Sequence, residues 1–199
     1  MTRLIFGSLL VAGVCLAISG RATAEDLEAV KGKVEAYRLQ REGISAYVQA
    51  EQAYIERAHN EADSTKQLTL NELEAQRFQS AKSTLKQALR LETDLPDTHQ
   101  FIANCYHYLD DLDAAIDHLS QALVIDPARD DILDHRVALL LEAGRFEEAQ
   151  TDAQRLSELQ SEFAASAMIQ VLESQNLQHM SPTTAPQTQP SSESAKAHE

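Results

Sequence analysis

Four residues near the middle of the chain carry the side chains from which a metal or redox site is usually built: His99, Cys105, His107 and His118. Their spacing fits no compact zinc pattern. On a helix, Cys105 and His107 would also point about 200° apart. As a redox thiol, Cys105 lacks a second cysteine nearby in the sequence and any basic neighbour to lower its pKa. No Gly-rich nucleophile turn or phosphate loop is present. The four are therefore read as scattered surface or packed residues, and nothing is assigned to catalysis, to a cofactor or to a metal. The chain is expected not to be an enzyme, with a metal-dependent or redox activity as the remotest alternative.

The elements that must position these residues are helical. The chain is rich in Ala, Leu, Glu and Gln, has 5% aromatic residues and no Trp, and so favours helices, in which straight-chain residues lose little rotamer freedom. Leu27, Val30, Val34 and Tyr37 recur at helical spacing, as do Ile44, Tyr47, Val48, Tyr54, Ile55 and Ala58. Only Gly43 separates the two runs, which form either two helices or one rod. A polar turn is expected over 63–69, then a helix opened by a Thr69/Glu72 capping box and closed before Leu95-Pro96. The stretch Pro96–Pro127 reads as a hairpin with Leu109-Asp110-Asp111 as its turn. A third hairpin turns at Gly144, and a last helix spans Phe163 to about Ser174.

The ends differ in character. Arg3, the apolar run Leu4–Ile18 and the small-x-small triplet Ala22-Thr23-Ala24 form the layout of a secretory signal peptide. The run falls short of the roughly 20 residues a membrane span needs. Cleavage after Ala24 takes away Arg3 and Arg21 and no acid, moving the formal charge from −14 to −16. A chain this acidic repels phosphate backbones and anionic membrane surfaces, which excludes nucleic acid and membrane as expected partners. Only Cys105 survives cleavage, so the mature monomer has no internal disulfide. The Pro-, Ser-, Thr- and Gln-rich end is expected to be disordered.

A period of 34 runs through the middle: Ala81, Ala115 and Ala149, then Phe78, Leu112 and Phe146, then Leu85, Leu119 and Ala153. Ile102-Ala103, Tyr106, Ala115, Leu119, Ala122 and Pro127 stand at the spacing of the tetratricopeptide repeat, and the chain resembles that family, in particular its bacterial cell-envelope members. The family's opening Trp is replaced by His99 and its helix-A Gly by Ala103. The resemblance implies an all-α fold of antiparallel hairpins stacked as a short right-handed superhelix. Residues 1–24 are then the signal peptide and 25–70 an elongated first hairpin or cap. Residues 71–161 form the array, with 94–127 as the best-matched unit and 128–161 as the next. A capping helix, 162–178, and the tail, 179–199, complete the chain.

The same resemblance implies a groove that binds a partner segment, lined by Gln100, Asn104, His107 and Tyr108 and by Asp131, Asp134, Ala138, Leu141 and Glu142. Asn104 coincides with the family's frequent peptide-backbone-binding Asn. The basic residues of the carboxylate-clamp subfamily are missing. The expected partner is a protein or peptide offering a basic or neutral extended segment. The expected function is a non-catalytic periplasmic scaffold in an envelope assembly, with secretion as the alternative location. A self-associating structural protein, dimeric through the N-terminal hairpin or Cys105, is the alternative function. Oligomeric state is not legible.

Overall fold

The computed structural model of the protein describes residues 23–60 and 69–180. Seven helices and no strand lie among the described residues: α1 Ala24–Asn60, α2 Glu72–Leu91, α3 Pro96–Tyr108, α4 Leu112–Ile125, α5 Asp130–Glu142, α6 Phe146–Glu158 and α7 Ala164–Met180. Helices α1 and α2, α3 and α4, and α5 and α6 pair as hairpins, each hairpin packs on the next, and α7 lies against α5 and α6. The fold is all-α, as expected. The signal-peptide stretch up to residue 22, most of the turn expected over 63–69, and the tail from residue 181 lie outside the described residues. No described helix is long and apolar enough to cross a membrane.

Helix α1 is a single rod of 37 residues, and Gly43 does not break it. A Cβ at position 43 would lie 2.6 Å from Leu85 Cγ and 2.7 Å from its Cδ2. The missing side chain is what lets Leu85 of α2 seat against α1, and the contact outweighs the helix-propensity cost of about 1 kcal/mol. Lys33 of α1 ties down the end of α2, its Nζ 2.9 Å from a carboxylate oxygen of the capping residue Glu92.

The capping box of α2 is Asn71/Glu74, two residues beyond the expected Thr69/Glu72. Asn71 Oδ1 accepts from the Glu74 amide at 2.9 Å, and Glu74 Oε2 accepts from the Asn71 amide at 3.0 Å. Both pairs have the right spacing, but of the two glutamates only Glu74 is buried. It is buried against α1 and takes two hydrogen bonds from the Arg57 guanidinium, at 2.7 and 2.8 Å. That guanidinium holds the Glu74 carboxyl below the usual carboxylate range.

The 34-residue period also appears in the backbone. Asp110 (φ 62°) and Gly144 (φ 72°) are both left-handed and close the α3–α4 and α5–α6 turns. Asp111 then caps α4 by accepting from the Ala114 amide. The aligned alanines Ala81, Ala115 and Ala149 are fully buried. They are small because helices cross there, and over-packing such a site costs about 1–3 kcal/mol. A continuous core runs from Ala103 and Leu119 through Leu133 and Leu140 to Leu156, Ala167 and Val171. A second cluster, with Tyr47, Phe78, Leu85 and Ile102, joins α1 to α2 and α3. Arg136 of α5 spans Asp152 of α6 at 2.6 Å and Ser120 of α4 at 2.9 Å, so one guanidinium ties three helices. Helix α7 runs past its expected end near Ser174, since no Gly or Pro interrupts it before Pro182.

Candidate functional site

The expected groove residues fall on α3 and α5, which are cross-linked at both ends. At the N-terminal ends, Arg129 stands just ahead of α5. It donates to Asp131 at 2.7 Å from two of its nitrogens, to Asp97 at 2.7 Å and to Gln100 at 3.2 Å. Gln100 in turn donates to Asp131 at 3.4 Å. The guanidinium holds the Asp131 carboxyl low and removes much of the negative charge expected at this end. At the C-terminal ends, His107 Nε2 lies 3.0 Å from Glu142 Oε2.

Between the two cross-links the helices carry Asn104, Asp134 and Ala138. Asn104 is half-buried, and its Oδ1, sealed from solvent, accepts no hydrogen bond among the described residues. A buried acceptor left unpaired costs about 1–3 kcal/mol, so a donor brought to it would recover that energy. Burial, with Asp130 nearby, raises the Asp134 carboxyl above its ordinary value. Ala138 is exposed. Leu141 is half-buried and packs on the main hydrophobic cluster.

Tyr108 is tied into the fold rather than standing open. Its ring stacks on Phe78, with centroids 4.4 Å apart and planes 10° apart, and meets Tyr54 edge-on at 5.5 Å. Its hydroxyl donates to Glu51 Oε1 at 3.1 Å, an oxygen that also accepts from the Tyr47 hydroxyl. Burial and the Glu51 carboxylate push the Tyr108 phenol up to about 12. Through Glu51 and Tyr54 the long α1 supplies the wall at this end, where a cleft of about 570 Å³ opens beside Tyr54, His107, Tyr108, Asp110 and Glu142.

Of His99, Cys105, His107 and His118, two are brought together. His99 and His118 pack with Nδ1 atoms 3.1 Å apart, one imidazole donating to the other, and His118 also stacks on Tyr106. They are partners across the α3–α4 hairpin, not scattered. Cys105 is fully buried, and burial pushes its thiol up to about 12. Dimerisation through Cys105 is therefore corrected: a sulfur with no exposed surface has no route to a second chain. No cluster of three or more His, Cys, Asp or Glu side chains able to hold a metal lies among the described residues.

Arg129, Glu51, Tyr54 and His135 contact the expected groove residues, and sequence spacing does not single them out. His135 lies beside His107, with ring centroids 6.3 Å apart, and burial brings its imidazole down to about 4. Arg129 sits in a loop between repeats, where no helical period assigns a face. Glu51 and Tyr54 are found only once α1 is placed as one rod against α3.

Residues 72–131 match a family model described as tetratricopeptide repeat. No curated protein sequence matches the chain. Two solved structures are similar in fold. One is the type III secretion translocator chaperone SycD of Yersinia enterocolitica, at 15% identity over 83% of this chain and 94% of that one, with a TM-score of 0.48. The other is SycD in complex with a peptide of the translocator YopD, at 18% identity over 64% of this chain and 93% of that one, with a TM-score of 0.46.

Proposed function

We propose, from the premise that this chain is a tetratricopeptide repeat protein, that it is a non-catalytic scaffold holding an extended partner segment along α3 and α5. The observation that carries this reading is the open stretch between the two cross-links. There Asn104 of α3 carries an unpaired Oδ1 that a turn of its half-buried side chain would bring to a partner's backbone N–H, and α5 contributes Asp134. Asp134 has no cationic partner among the described residues, and Glu142 and Glu51 lie further along the same side. A basic or neutral segment suits this arrangement better than an acidic one, because a partner cation near Asp134 would relieve a carboxyl that burial disfavours.

The signal-peptide layout supports export, and we place the scaffold in the periplasm within an envelope assembly, with secretion as the alternative. The test is capture of partners from a periplasmic extract, read by mass spectrometry. Asn104→Ala combined with Asp134→Lys is expected to lose the proteins that the native chain retains. Unchanged capture by the folded double variant would overturn groove binding.

A further inference from the structure

Helix α2 carries a surface with the opposite charge to the rest of the molecule. Between Glu74 and Glu92 it has no acidic residue. A shallow cleft of about 360 Å³ along its outer side is lined by Gln79, Lys82, Ser83, Lys86, Gln87 and Arg90. The chain has 31 acidic residues against 17 Lys and Arg, so carboxylates are abundant. Lys33, Arg57, Arg129, Arg136 and Arg145 each meet one. Lys82, Lys86 and Arg90 meet none among the described residues.

Two of these cations are held ready. Lys82 Nζ lies 4.1 Å and Lys86 Nζ 4.9 Å from the centroid of the Tyr106 ring, and Lys86 donates to the Tyr106 hydroxyl at 2.6 Å. A lysine already fixed on an aromatic ring loses less side-chain freedom when it docks, which lowers the cost of binding. Successive cations are four residues apart, or about 6 Å along the helix axis.

We propose that Lys82, Lys86 and Arg90 form a docking surface for an acidic helix of a partner protein, with carboxylates at i, i+4 and i+8. A helix laid along α2 repeats at the same 6 Å interval. The alternate side chains of an extended strand recur at roughly 6.8 Å and drift out of register. Anionic bilayers and nucleic acid face the repulsion of a chain of net charge −14, whereas one short acidic helix meets the stripe alone. Tyr106 points about 200° around α3 from Asn104. The stripe therefore lies away from the groove, and one partner can occupy each.

The experiment is fluorescence anisotropy at low salt with a labelled alanine-rich helical peptide bearing Glu at i, i+4 and i+8. The native chain is expected to bind it, and Lys82→Gln, Lys86→Gln, Arg90→Gln together to weaken binding about tenfold or more, three partly exposed charges each contributing a fraction of a kcal/mol. The charge-keeping pair Lys82→Arg and Lys86→Arg should retain binding, and a circular dichroism melt checks folding. A charge-matched triple, Lys31→Gln, Arg38→Gln and Arg77→Gln, should bind as the native chain does. Four results would overturn the assignment: no binding by the native chain, equal losses in the two triples, equal affinity for a same-composition peptide with the Glu spacing scrambled, or preferential capture by phosphatidylglycerol vesicles.

Discussion

Burial disfavours the charged form of three imidazoles. Burial, reinforced by His99, Lys86 and Lys82, brings His118 down to about 4, burial and His107 do the same for His135, and burial lowers His99. An unfolded imidazole takes up its proton near pH 6.5. Between that value and about 4 the unfolded chain binds more protons than the folded one, so stability is intact at neutral pH and falls as pH drops through this window. Glu74 and Asp131, held low by Arg57 and Arg129, lose their contribution only as pH falls below the ordinary carboxylate range. Asp134, raised by burial, works in the opposite direction and is relieved by acid. The melting temperature, read by circular dichroism, should therefore drop on the order of 5 °C from pH 7 to pH 5. His118→Asn with His135→Gln should flatten that slope. An unaltered slope in the double variant would mean that these imidazoles are not the groups responsible.

At the scale of the element, the two glycines of α1 make opposite predictions. Gly43→Ala drives a Cβ into Leu85 and, with its 3.2 Å approach to the Leu85 backbone nitrogen, leaves little room to relax. It should cost about 1–3 kcal/mol in urea denaturation. A Cβ added at Gly32 would meet nothing within 4 Å, and Gly32→Ala should be neutral or stabilising by about 0.5–1 kcal/mol. Equal effects at the two sites would contradict the close approach of α1 and α2. The same helices mark where sequence reasoning stops. Ala81, Ala115 and Ala149 are legible because a crossing point demands a small residue at a fixed interval. Glu74, Arg129 and the His99–His118 pair are not, because polar contacts between helices depend on rotation and register that a hydrophobic period leaves open. Family spacing puts Asn104 and Asp134 on the helices α3 and α5, whereas the tethering of Tyr108 by Glu51 requires knowing that α1 is one rod.

For the whole molecule, stability passes from neighbour to neighbour, as in any stack whose units cannot bury their faces alone. Ala167 and Val171 of α7 are buried in the cluster that contains Leu140 and Leu156. A chain ending at Gln160 uncovers that face. It should melt at lower temperature and aggregate with rising concentration in light scattering, while a chain ending at Met180 should melt as the full chain does. Equal behaviour of the two truncations would show that α7 is not the cap of the stack. With α7 in place, the stack presents the cross-linked face of α3 and α5 beside α1 and a basic stripe along α2, two separate surfaces on a chain of net charge −14.

The tether between Glu51 and the hydroxyls of Tyr47 and Tyr108 also has an optical consequence. The chain has five tyrosines and no tryptophan, so its near-ultraviolet emission is tyrosine emission alone. A carboxylate accepting from a phenol draws the proton away on excitation and dims it. A segment of the kind proposed for the α3–α5 face, were it to settle beside Tyr54 and Tyr108 and pull Glu51 off the phenol, would brighten the molecule, and a tryptophan on that segment would take the light instead. The proposed groove would thus carry its own reporter of occupancy, with no label to attach.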